Sequence, residues 1–263
     1  MNPNDRDLRL LCVLAHPDDE SLGTGGLLAR CARDGIATYV VTATRGERGR
    51  FGNQIEPVAP DIVGAAREAE LRAAAAELGV RDVAVLGYPD GQLDGVEPFV
   101  AIAHIAEHVH RVKPHVVVTF GPDGAYGHPD HIAISQFTTA AVMRAAHEGW
   151  QVSKLYFIAW SEAKWSLYQK ALRRLVARVD GVERQAVPWP DWAITTEIDA
   201  GDAWQVVWRA VSHHKTQMSI YAGLGELPES DQRALWGTQA FYRVFSTVNG
   251  GRGKESDVFE GLR

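Results

Sequence analysis

Residues 8–15 form an apolar run interrupted only by Arg9, and the run stops abruptly at polar residues. Residues 38–44, 83–87 and 116–120 repeat the pattern. Each run is short and rich in β-branched or aromatic side chains, which predicts buried strands. Helically spaced segments lie between them. Residues 22–33 end before Gly35, residues 62–78 are rich in Ala, Glu and Arg and stop at Gly79, and residues 98–112 and 130–148 follow. Continuous apolar strands alternating with helices predict a mostly parallel sheet covered on both faces.

The pattern weakens in the second half. Residues 155–160 read as a fifth strand, 166–179 as a helix and 193–198 as a strand. Asp202 is placed to cap a helix over 203–218, with Gln205 three positions on as in a capping box. Three glycines within five residues from Asn249 predict a mobile tail. With no repeat and no linker, residues 1–263 read as one α/β domain of Rossmann-like type. Such a sheet binds its ligands at the carboxyl ends of the strands.

Composition narrows the function classes. Hydrophobic residues make up 46% and charged residues 23%, an ordinary globular balance. The net charge is −6 and no basic block is present, which argues against nucleic acid and anionic membranes as partners. No apolar stretch approaches the ~20 residues of a membrane helix, and the polar first nine residues do not resemble a signal peptide. The expectation is a soluble cytoplasmic protein. Cys12 and Cys31 are too few for a disulfide framework or a cysteine-rich zinc site.

The strongest strand candidates all run into chemistry-bearing residues. The first leads into His16, Pro17, Asp18, Asp19 and Glu20, the second into Arg45, Gly46 and Glu47, and the third into Tyr88, Pro89 and Asp90. The fourth leads into Asp123, Tyr126, Gly127, His128, Pro129, Asp130 and His131. In a parallel sheet these loops share one rim. His16 and Asp19, three apart across a tight turn, suit a metal site to which His131 adds a third ligand; two imidazoles and a carboxylate leave a position open for water and substrate. Asp18 is placed to take a proton from that water. Acids at a helix start also serve as caps, but capping does not call for His-Pro-Asp-Asp-Glu together. Pro129 suits a first helical turn, and Asp130 can orient an imidazole through its second N–H.

Ala15-His16-Pro17-Asp18-Asp19-Glu20 together with Gly127-His128-Pro129-Asp130-His131 resembles the PIG-L/LmbE family of zinc-dependent N-acetylglucosaminide deacetylases. That family includes deacetylases of mycothiol and bacillithiol synthesis, the mycothiol conjugate amidase and diacetylchitobiose deacetylases. The similarity covers roughly residues 8–160, and His214-Lys215-Thr216-Gln217 is similar to a segment near the family's end. The resemblance implies one zinc ion per chain on His16, Asp19 and His131, with iron or another divalent metal as the alternative, and Asp18 as general base. It implies that His128, held by Asp130, is an electrostatic or acid partner and that Tyr126 assists the oxyanion. Glu47, Arg67 and Asp90 would hold sugar or aglycone groups, and the partner would be a small N-acetylated amino sugar. A homo-oligomer is compatible with all of this.

Two functional alternatives stand beside deacetylation: an amidase of the same fold acting on a larger thiol conjugate, and a non-catalytic sugar- or nucleotide-binding module. Other signals have simpler explanations. His104, Glu107 and His108 formally match a zinc-protease pattern, yet with Arg111 they form the polar face of a helix whose other side is apolar. Gly23-Thr24-Gly25-Gly26 suggests a dinucleotide loop, but adjacent carboxylates would repel a pyrophosphate, so close helix packing explains it better. By their spacing alone, Glu47, Arg67 and Asp90 read rather as surface ion-pairing residues, Arg67 beside Glu70, and His213 and His214 read as surface residues. The long connection over residues 48–61, with Gly49, Gly52, Pro57 and Pro60, reads as a mobile lid.

Overall fold

The computed structural model describes residues 8–172, 176–179, 181–251 and 253–263. Four parallel βα steps open the chain: β1 (Arg9–Leu14), α1 (Asp19–Arg33), β2 (Ala37–Thr44), α2 (Pro60–Glu77), β3 (Asp82–Tyr88), α3 (Pro98–Val112), β4 (Val116–Phe120), the single turn α4 (Gly124–Gly127) and α5 (Pro129–His147). Then follow β5 (Lys154–Ala159), α6 (Glu162–Leu172), the hairpin β6 (Val176–Val179) and β7 (Val182–Gln185), and β8 (Thr196–Asp199). The chain closes with α7 (Trp204–His213), α8 (Met218–Gly225), α9 (Glu229–Gly237) and β9 (Thr238–Ser246).

Seven strands form one sheet in the order β3-β2-β1-β4-β5-β9-β8. The first five are parallel, β9 runs antiparallel to β5, and β8 runs antiparallel to β9. All five residues of β4 and five of the six in β1 are buried. Both faces are therefore covered, which is why these strands read as unbroken apolar runs. Helices α3 and α5 pack as one pair, and α1 and α2 pack against α7. A Cβ on Gly26 would lie 2.8 Å from the Trp236 carbonyl, so the glycine run in α1 serves close packing. No helix among the described residues is long and apolar enough to cross a membrane.

The second half departs from expectation in three places. The helix expected over 166–179 ends at Leu172; residues 173–175 and 180 lie outside the described residues, and Val176–Val179 pairs antiparallel with β7, the sequence between them carrying Asp-Gly, a strong hairpin signal. Asp202 does not cap a helix. It lies in a 3₁₀ turn and pairs with Arg233 at the surface, and α7 starts at Trp204 and stops at His213. The chain end is docked rather than mobile: Val258 and Phe259 are fully buried, and Glu255 exchanges backbone hydrogen bonds with Thr195 and Glu197. Its carboxylate accepts from Lys154, Tyr156, Thr196 and Asn249 at 2.7–2.8 Å, a set of partners spread over a hundred residues.

Candidate metal centre and base

β1 ends one residue before the first motif, and α1 begins at Asp19, so His16 to Asp18 must turn within three residues. The turn forces Asp18 to φ 109°, a conformation that costs a non-glycine residue of order 1–3 kcal/mol. In return, the two acids and the imidazole face one pocket. Asp19 accepts from the backbone N–H groups of His16 (2.8 Å) and Ala15 (3.2 Å), which fixes its carboxylate at the strand end.

His131, in the first turn of α5, meets this cluster from the neighbouring loop. Its Nε2 lies 3.1 Å from His16 Nδ1 and 3.6 Å from an Asp19 oxygen, and its ring stacks on Phe120 at 3.9 Å. His16 Nδ1 is 3.8 Å from Asp19. All three residues are buried. On the far side of the ring, His16 Nε2 donates to Asp130 at 3.0 Å and lies 3.2 Å from Asp90. Asp130 also accepts from the N–H groups of Gly91 and Leu93. With three lone pairs engaged, Asp130 orients His16 and leaves Nδ1 turned toward His131 and Asp19. It does not hold the His128 ring by its side chain; instead its backbone N–H donates to His128 Nδ1, which caps α5.

Ligand-type atoms of His16, His128 and His131 lie within 4.8 Å of one another, as do those of His16, Asp90 and Asp130. The second trio has its carboxylates engaged by backbone N–H groups, and His128 has one ring nitrogen engaged as a cap. His16 Nδ1, His131 Nε2 and Asp19 Oδ1, the Asp19 oxygen that no backbone N–H engages, form a further candidate set at the strand end. Burial alone would lower the His16 pKa, but its bonds to Asp130 and Asp90 outweigh that and raise it to about 10. Burial raises Asp19 to about 7 against the pull of His16, and burial together with His16 pushes His131 well down. The pocket thus favours positive charge at His16 and a neutral, lone-pair-bearing His131. A divalent cation fits both demands.

Asp18 stands beside these groups with different partners. Its Oδ2 accepts from Arg67 Nη2 at 2.9 Å and from the Tyr221 hydroxyl at 2.7 Å. Arg67 is not a surface residue: it is 4% exposed and also donates to the carbonyls of Gly46 and Pro17. A Cβ on Gly46 would lie 2.2 Å from the guanidinium, and Gly46 has φ 63°, so glycine is required there on both counts. Glu20, fully buried, accepts from the Asp18 N–H at 2.9 Å and from Ser21, and pairs with His214 at 2.8 Å. Burial would raise the Glu20 pKa, but His214 outweighs it and holds it down. His214 is therefore a buried partner of the motif, not a surface residue, whereas His213 is partly exposed beside Glu77.

Tyr126 and His128 complete the wall. Ala125 takes φ 61°, and the kink turns the Tyr126 ring to 5.9 Å from His128 and 5.4 Å from His131. Burial and the nearby Asp19 push the Tyr126 phenol well up, so it stays an O–H donor. Burial and His16 lower His128 to about 4, leaving its imidazole neutral near pH 7. Glu47 accepts from the Asp90 N–H at 2.8 Å through Oε1, while its Oε2 is buried without a hydrogen-bond partner. Asp90 accepts from Arg48 N–H. The 48–61 connection is pinned at its start: Gly52 N–H donates to Thr216, Gln217 to the Arg50 carbonyl and Ser219 to the Gly52 carbonyl.

All ten residues singled out in the sequence come to this one rim. Tyr221 was not among them, because nothing in its surroundings along the chain marks it. His104 and His108 are outside the site, bonded to Tyr88 and Arg111 on the α3 surface.

The fold and the His/Asp cluster define an α/β protein with a candidate metal centre at the carboxyl edge of its sheet. Residues 11–142 match the PIG-L family, described as GlcNAc-PI de-N-acetylase. The chain is 33% identical to a 1D-myo-inositol 2-acetamido-2-deoxy-alpha-D-glucopyranoside deacetylase of Kineococcus radiotolerans, covering 98% of this chain and 84% of that one. It is 35% identical to the enzyme of the same name from Mycolicibacterium vanbaalenii, over 97% and 98% of the two chains. Among solved structures, a conserved protein of Thermus thermophilus superposes with TM-score 0.64 and 24% identity, over 92% of this chain and 97% of that one. The chain belongs to the PIG-L family.

Proposed function

We propose that this chain hydrolyses the acetamide of an N-acetylglucosaminide, with 1D-myo-inositol 2-acetamido-2-deoxy-alpha-D-glucopyranoside as the first substrate to test. The reading rests on two nearly full-length relatives that carry that name. The observation that carries the chemistry is the separation of tasks on one turn: Asp19 faces His16 and His131, while Asp18 is held apart by Arg67 and Tyr221.

His16 Nδ1, His131 Nε2 and Asp19 would hold one divalent ion per chain, zinc being the first choice for two imidazoles and a carboxylate. When bound, such an ion supplies Lewis acidity toward the amide carbonyl and acidifies water. Asp18 takes the proton of the attacking water. Tyr126 donates its O–H to the oxygen that gains charge, and neutral His128 adds a hydrogen-bonding group rather than a cation. Asp18 returns its proton to the departing amine, leaving acetate and the free amino sugar. The unpartnered Glu47 Oε2 supplies an acceptor for a sugar hydroxyl, with Asp90 and Arg67 bracketing the same wall.

The test is acetate release from the glycoside and from a simple N-acetyl amine, with metal content measured on the same samples. The glycoside is expected to be much the better substrate. Glu47→Ala should lower its kcat/KM by about tenfold to a hundredfold, the worth of a hydrogen bond to a charged group, and leave the simple amide unchanged. Equal rates on both compounds, unaltered by Glu47→Ala, would reject the sugar assignment and leave the hydrolytic one standing.

A further inference from the structure

The two carboxylate oxygens of Asp18 are unequal. Oδ2 accepts two hydrogen bonds, from Arg67 Nη2 at 2.9 Å and from the Tyr221 hydroxyl at 2.7 Å. Among the described residues no donor is hydrogen-bonded to Oδ1, and that atom is not sealed from solvent. A carboxylate gripped by two donors on one oxygen has its plane and its free oxygen fixed together. Two donors from different directions do what one cannot: a single bond leaves the group free to swing about the contact.

The grip comes from a part of the chain remote in sequence. Tyr221 is in the first turn of α8, 203 residues after Asp18. Three further contacts tie that excursion down. His214 reaches Glu20, whose other oxygen accepts the Asp18 N–H at 2.9 Å. Thr216 donates to Glu70 at 2.8 and 2.7 Å through its N–H and its hydroxyl. Gln217 donates to the Arg50 carbonyl at 2.7 Å, and its own carbonyl accepts from the Tyr221 N–H. The same segment therefore holds the strained backbone of Asp18 through His214 and its side chain through Tyr221.

We propose that Tyr221 is a positioning residue of the hydrolytic site: with Arg67 it clamps Oδ2 of Asp18 and thereby selects Oδ1 as the oxygen that receives the proton of the attacking water. This rests on the deacetylase reading for the identity of the reaction, but the clamp itself is a statement about where a side chain is held. Tyr221 contributes through Asp18, so its effect must vanish when Asp18 cannot act.

The experiment is a double-mutant cycle of Tyr221→Phe and Asp18→Asn, with metal content measured throughout and a crystal structure of the Tyr221→Phe protein. The phenylalanine keeps the ring and removes one oxygen. Its expected effect is a fall in kcat of about tenfold to a hundredfold, with KM for the glycoside and metal content within about twofold of the parent. In the Asp18→Asn background the same substitution should cost less than about twofold. The structure should show the Asp18 carboxylate rotated about its remaining bond to Arg67. An unchanged kcat overturns the proposal, and so does an equal loss in both backgrounds, which would mark a merely structural tyrosine. If the parent protein releases no acetate from any glycoside tested, the deacetylase reading fails instead; the structure then decides, and an Asp18 carboxylate left unmoved by Tyr221→Phe overturns the clamp.

Discussion

The two edges of the sheet each bury a cluster of charged groups, and the clusters are built on opposite plans. At the amino edge, Glu255 receives Lys154, Asn249 and Arg243 on one oxygen and Tyr156 and Thr196 on the other, all within 2.8 Å. Its backbone also joins Thr195 and Glu197. Every contact there is complementary. At the carboxyl edge, Asp18, Asp19 and Glu20 stand side by side, two histidine nitrogens face each other at 3.1 Å, and Glu47 Oε2 and Arg67 Nε are buried without partners. Of the three non-glycine residues with positive φ among the described residues, Asp18 and Ala125 are at this edge. One cluster is satisfied by the protein alone; the other is arranged for something that arrives. Local rules are broken where a fold must act and kept where it must hold.

The largest expected effect that sharpens this contrast is at Asp18. Asp18→Asn should lower kcat by about 10²–10⁴-fold, the usual worth of acid–base catalysis, with metal content unchanged. Near-parental kcat in this variant would erase the distinction between the edges. Glu255→Ala should do the reverse. It strands Lys154, which is fully buried, and removes the acceptor for four other donors. The expected cost is about 3–5 kcal/mol, read from chemical denaturation, with kcat of the folded enzyme unchanged.

The smallest effect is a pH dependence. Burial alone would raise the Glu255 pKa, but the bonds from Lys154, Tyr156, Asn249 and Thr196 outweigh it and hold it at about 2. A carboxyl depressed in the folded state contributes stability that is complete above its unfolded value near ~4.3 and is lost as pH falls toward the folded value. By pH 3 the loss should reach about 1–2 kcal/mol. The denaturation midpoint of Glu255→Gln should therefore fall less steeply than that of the parent between pH 5 and 3. Parallel slopes would show that the amino-edge carboxylate is not the group being titrated.

The first 160 residues were legible because their signals are local. Strands buried on both faces leave unbroken apolar runs; the first motif follows β1 directly and the second follows β4 after the short turn α4. The rest was written in long-range contacts. α7 stops at His213 not through a capping signal but because His214 is drawn inward to Glu20. Strand β9 has only three buried positions and sits between two strands it meets antiparallel, so its pattern is weak. Arg67 shares its helix with Glu68 and Glu70 and reads as a surface residue by spacing. It is buried because that turn of α2 faces the strand-end loops. The glycine-rich stretch after Asn249 carries no cue that Glu255 has five partners waiting. Tyr221 is the extreme case: its one decisive contact spans 203 residues.

That span also has a consequence in time. At about 5–20 residues per second, a chain being synthesised presents His16, Asp19 and His131 to its surroundings well before Tyr221 exists. Roughly 5–18 s separate the last of the ligand-type residues from the residue that grips Asp18. On the proposed reading, the ligand-type residues are therefore all made before the residue that grips Asp18, and the proposed base is held only once the late segment has returned to the first loop. The 203 residues between Asp18 and Tyr221 make closure of that contact wait for the last fifth of the chain.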